Sequence, residues 1–82
     1  MPDLTVNVLD DDQDPVVGAK VFLLIHHNFM PDTWLEDRTD DDGEAEFEVP
    51  KFTTVDVHVN GNVELEDISV GEDDEDVTVT LD

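Results

Sequence analysis

The chain has 82 residues, no cysteine, and 24 Asp and Glu against three Lys and Arg, giving a formal net charge of -21. That length suits one small domain over residues 1–82, able to bury roughly 60% of its unfolded surface, with no disulfide framework to assist its core. The charge argues against nucleic acid as a partner, because there is no basic patch to neutralise phosphates, and no apolar stretch approaches the ~20 residues of a membrane span.

So many like charges repel one another and destabilise the compact state unless salt screens them. At 1 M salt the Debye length is about 3 Å, so the composition is that of a protein adapted to a high K⁺ or Na⁺ environment. High charge also characterises disordered chains, but those lack the Val-rich alternation present here. The strand-like pattern begins at Leu4, as expected of a chain complete from Met1. Met1-Pro2-Asp3-Leu4 lacks the basic and apolar regions of a secretory signal, making a cytoplasmic location the default expectation.

Leu4, Val6 and Val8 alternate and define a first strand with one buried face. Asp10-Asp11-Asp12-Gln13-Asp14-Pro15 follows as a turn or loop. The longest apolar run gives a central strand from about Ala19 to Asn28. Ala19, Val21, Leu23 and Ile25 share one face; Phe22, Leu24 and His26 share the other, which suggests a strand covered on both sides. A loop over 28–32 leads to a short strand, Thr33 to Thr39, holding the only tryptophan, Trp34. Asp40-Asp41-Asp42-Gly43 is a turn, and Glu44 to Val49 alternates with its glutamates toward water. Phe52 to Val59 places Val55, Val57 and Val59 inside. Asn60-Gly61 is a two-residue hairpin signal leading to Val63-Glu64-Leu65. Ile68 and Val70 fall on the opposite parity from Leu65, which predicts a bulge at Glu66-Asp67. Gly71 to Asp76 is an acidic loop, and Val77 to Leu81 is the last strand. Seven short strands and no helical period predict an all-β, antiparallel, seven-stranded Greek-key β-sandwich.

The run Val6-x-Val8, then Pro15-Val16-Val17-Gly18-Ala19-x-Val21-x-Leu23, then Thr39-Asp40-x-Asp42-Gly43-x-Ala45-x-Phe47 resembles carboxypeptidase regulatory-like domains of the transthyretin-like (prealbumin-like) sandwiches. The resemblance covers most of the chain and implies an accessory, stabilising or adhesive module. Asn7-Val8-Leu9-Asp10 is similar to the strand that carries a catalytic histidine in the transthyretin-like hydrolases of 5-hydroxyisourate. Asn7 cannot do acid–base work, however, and the C-terminal Tyr-Arg-Gly-Ser of that family is missing. The collagen-adhesin B-type repeats join their first and last strands by an isopeptide; here Leu4 to Leu9 holds no lysine and Val77 to Asp82 no asparagine.

Among candidate sites, Asp10, Asp12 and Asp14, and likewise Asp40 and Asp42, imitate the start of a calcium loop. Both lack the full ligand pattern: Pro15 stands where the first loop needs Gly, Val21 where it needs Glu, and Val49 where the second needs Glu. A weak Ca²⁺ or Mg²⁺ site between neighbouring loops, or polysaccharide binding by these acidic turns, is the alternative function; no other cofactor is implied. His26, His27 and His58 fall short of a four-ligand zinc site, since adjacent strand residues face opposite ways. With one serine, Ser69, and isolated glycines, no enzyme is expected. The remaining candidate is the surface formed by Phe22, Leu24, His26 and Trp34. It is either covered by the 29–35 segment or exposed to a protein partner or a second copy. The expected function is therefore a non-enzymatic binding or structural module.

Overall fold

The computed structural model describes residues 2–27 and 29–81, and the predicted strand end at Asn28 lies outside them. Seven strands are present: β1 (Asp3–Leu9), β2 (Lys20–His26), β3 (Thr33–Arg38), β4 (Glu44–Glu48), β5 (Thr53–Val59), β6 (Asn62–Val70) and β7 (Glu75–Thr80). They form a three-stranded sheet, β4-β1-β7, and a four-stranded sheet, β3-β2-β5-β6. The chain is an all-β sandwich. A Greek key links its layers: β5 returns from the opposite sheet to pair beside β2, outside the β2–β3 hairpin. Among the described residues no helix is long and apolar enough to cross a membrane.

One pairing departs from the antiparallel expectation. β1 and β7 run parallel, with Leu4 opposite Glu75 and Val8 opposite Val79. The first strand can therefore sit at the centre of its sheet, between the antiparallel β4 and the parallel β7. This pairing also draws Glu75 and Asp76 into β7, so the acidic loop is shorter than predicted.

The alternating residues meet between the sheets. Leu4, Val6 and Val8 of β1 and Val21, Leu23 and Ile25 of β2 are buried with Val55, Val57 and Val59 of β5. Each such side chain contributes roughly 1.5–3 kcal/mol by leaving water. Thr39 is the one buried polar residue described. Its hydroxyl accepts from the Ala19 N–H at 2.9 Å and donates to the Val16 carbonyl, fastening the chain that enters β2.

The strand ends carry turns of specific geometry. Asn60 and Gly61 both have positive φ, 52° and 89°, matching the type I′ turn that suits a right-twisted hairpin. On β6, Leu65 pairs with Val57 and Ile68 with Val55, leaving Glu66 and Asp67 opposite Asp56. That is the predicted bulge, with Asp67 at φ 55°. A second irregularity was not anticipated: Glu64 is extra between Leu65 and Val63. It turns Val63 to the outer face beside His58, whereas simple alternation would have placed it with Leu65.

The two acidic turns share one hydrogen-bonding plan. Asp10 Oδ1 accepts from the Asp12 and Asp14 N–H groups, both at 2.9 Å. Asp40 Oδ1 accepts from Asp42 at 2.9 Å and Glu44 at 3.1 Å. In each, the fourth residue is left-handed: Gln13 at φ 67° and Gly43 at φ 75°. Asp10 and Asp40 thus serve as internal caps of their own turns.

Candidate functional site

The outer face of the four-stranded sheet brings together the residues singled out as a contact surface. Register fixes the arrangement. Phe22 lies between Glu36 on β3 and His58 on β5, and Leu24 between Trp34 and Asp56. The Trp34 indole leans across β2, meeting the Phe22 ring edge-on at 6.5 Å and the His58 ring at 5.1 Å. Aromatic pairs in this orientation gain from opposing ring edge and face charge. Phe22, Trp34, His58 and Gly61 line an open groove of about 350 Å³.

The expectation that β2 is covered on both sides is not met. Within the 29–35 segment Trp34 lies over the outer face and Asp32 reaches its end at His26. Phe29 and Met30 are exposed, and Leu35 turns inward against the core. The reason is geometric: pairing of Thr33 with Ile25 commits the chain to an edge strand as soon as it leaves the loop. Phe22 and Leu24 stay half-buried, and Trp34 remains 55% exposed. His58, Gly61 and Val63 belong to this surface but were missed. Their signal was the outward parity of His58 on a strand paired with β2.

His26 lies on the same face and has a different role. Its Nε2 is 2.8 Å from Asp56 Oδ2, and its Nδ1 is 3.2 Å from Asp32 Oδ2. A neutral imidazole has a single N–H donor, so satisfying both carboxylates requires the imidazolium form. The Asp56 hydrogen bond accordingly raises the His26 pKa above its ordinary value, against desolvation, with the Asp56 and Asp32 charges adding to the rise. The Asp67 backbone N–H, 2.9 Å from Asp56 Oδ1, holds the Asp56 carboxyl below its ordinary range, reinforced by His26. This chain of bonds runs from the β2–β3 loop through β2 and β5 to the β6 bulge.

The acidic candidates are only partly brought together. Asp10, Asp11 and Asp12 can place one oxygen each within 4.8 Å of the others. Among the described residues no other such group of potential metal ligands occurs, so neither Asp14 nor the Asp40 and Asp42 pair joins one. His27 bonds Thr33 Oγ1 at 2.9 Å instead of joining His26 and His58. No family model matches the chain, and no curated protein is significantly similar to it.

Proposed function

We propose that this chain is a non-enzymatic binding module, adapted to high salt, whose contact surface is the outer face of the four-stranded sheet. The observation that carries this reading is the groove lined by Phe22, Trp34 and His58. Half-exposed aromatic side chains around a concavity are the usual anchors of a protein contact. Trp34 is already positioned by two ring contacts, so little side-chain freedom is lost on binding. The net charge of -21 supports the salt adaptation. The seven-stranded, two-sheet architecture is compatible with membership among the carboxypeptidase regulatory-like and transthyretin-like sandwiches; that kinship is part of the proposal.

The test is capture from the source cell extract at native salt, with the wild-type chain and a folded Phe22→Asp variant as baits. A polypeptide retained by the wild type and lost by the variant supports the reading. Identical capture by both baits removes the sheet face from consideration. Binding of Ca²⁺ or Mg²⁺, or of a polysaccharide, by the acidic turns is the second reading, favoured by the approach of Asp10, Asp11 and Asp12.

A further inference from the structure

We infer that His26 is a proton-operated latch: with both ring nitrogens protonated it ties the segment 29–32 to the sheet, and with one it keeps Asp56 and releases Asp32. The inference concerns a device within the fold and does not depend on what the sheet face binds.

Register places the three groups. Ile25 of β2 pairs with Thr33 of β3, so Asp32 falls where the next partner would stand, opposite His26. It lies just outside β3, and its carboxylate reaches the sheet through His26 Nδ1 at 3.2 Å. Asp56 stands at the other side of the ring, 2.8 Å from Nε2. The two carboxylates are unequally held. The Asp56 side chain is 17% exposed, and its Oδ1 also accepts from the Asp67 N–H at the β6 bulge at 2.9 Å. The Asp32 side chain is 48% exposed and has water as an alternative partner.

Proton count decides what the ring can hold. The imidazolium donates to both carboxylates at once, whereas the neutral ring keeps one N–H. The nearer and better fixed Asp56 retains that proton on Nε2, which leaves the Nδ1 lone pair facing Asp32 Oδ2. Two acceptors at this distance repel, and the exposed carboxylate turns to water, whose hydrogen bonds replace the lost one. The release is local. His27 Nε2 is 2.9 Å from Thr33 Oγ1, and a hydroxyl can serve either form of that ring. The pairing of Thr33 with Ile25 needs no side-chain charge. Residues 29–32 are therefore what the latch frees, with the exposed Phe29 and Met30 among them.

The surrounding charges set the range in which it works. On β2, Lys20 stands at the far end of the strand, opposite Arg38 of β3; Glu36 and Asp37 of β3 lie opposite Phe22 and Val21. β5 contributes Asp56 and His58, and β6 contributes Glu64 together with Glu66 and Asp67 opposite Asp56. The segments entering β5 and leaving β6 carry Lys51 and Glu72. The Asp56 hydrogen bond, with the Asp56 and Asp32 charges, raises the His26 pKa against desolvation. The latch is thus closed below about pH 6.5 and opens as pH rises through the raised value.

NMR of the full chain from about pH 5 to 9, at a fixed KCl concentration of about 2 M, reads both parts. Below the His26 midpoint both ring nitrogens should be protonated; above it only Nδ1 should have lost its proton. Over the same titration the Cα–Hα order parameters of Met30 and Asp32 should fall from the rigid range, about 0.85, to below about 0.6. Asp32→Asn, at an exposed position, should abolish that fall. Its amide offers a carbonyl oxygen to the imidazolium and an NH₂ donor to the neutral ring. A carboxylate with a merely structural role would give equal order on both sides of the midpoint, and that result overturns the inference. So does a neutral ring protonated at Nδ1, or an Asp32→Asn chain whose segment loosens as the wild type does.

Discussion

His26 is held between carboxylates on both sides, and the closer one, Asp56, lies 2.8 Å from its Nε2. The raised pKa of His26 means that its share of stability is complete below about pH 6.5. That share is lost as pH rises through the raised value. Asp56 has the opposite sign: its lowered pKa gives stability that is complete above about pH 3.9 and is lost as pH falls through the lowered value. Both shares are present together between those limits. The thermal midpoint of the wild type should exceed that of His26→Gln most clearly near pH 5–6, and the gap should shrink at alkaline pH. A gap independent of pH would show that the bridge does not depend on imidazolium.

Salt should act on the whole fold. With 24 acids against three bases, repulsion extends about 10 Å at 0.1 M salt and only about 3 Å at 1 M. The thermal midpoint should climb steadily as KCl rises toward about 2 M. A flat profile would mean that this charge is tolerated without screening.

The acidic turns separate capping from cation binding. Asp40→Ala removes the acceptor for two backbone N–H groups and should cost about 1 kcal/mol. Asp40→Asn keeps an acceptor oxygen and should cost less. Asp41, which makes no comparable bond, should be replaceable with little effect. If Ca²⁺ raises the thermal midpoint beyond KCl of equal ionic strength, and Asp11→Asn abolishes the excess, the second functional reading gains ground; equal effects of the two salts count against it.

Gly43 and Gly61 both have positive φ, 75° and 89°, but different surroundings. A methyl group at Gly43 would lie 2.8 Å from Pro15 Cβ and 2.9 Å from the Val8 carbonyl, whereas Gly61 has nothing within 4 Å. Gly61→Ala should cost about 1 kcal/mol, for the left-handed backbone alone. Gly43→Ala adds overpacking and should cost about 3 kcal/mol. Urea denaturation of both variants measures the difference.

Much of this fold was legible because its strands obey a two-residue period. Leu4, Val6 and Val8 could be assigned inward from spacing alone, and the clash of parity between Leu65 and Ile68 disclosed a bulge. The extra residue at Glu64 left no such mark, because Val63 is apolar on either face. The parallel pairing of β1 with β7 was invisible for a related reason: alternation reports which face a residue occupies, never the direction of its neighbour. The candidate surface was half legible. Phe22, Leu24 and Trp34 announced themselves as apolar residues on an outward parity, but His58 joined them through register with Phe22. The bonds from Asp10 and Asp40 to their own turns were hidden by the abundance of acids around them.

The parallel union of β1 and β7 has a consequence during synthesis. Of the seven strands, the one at the centre of the smaller sheet is made first, and one of its two neighbours is made after all the others. Until β7 has emerged from the ribosome, one whole edge of β1 has no hydrogen-bonding partner from its own sheet. The nascent chain can close its hairpins early, yet its most distant pairing must come at the end, as in other topologies whose contacts are mainly non-local. The acidic residues that burden the finished molecule would then serve the unfinished one, keeping neighbouring nascent chains apart while that edge is open.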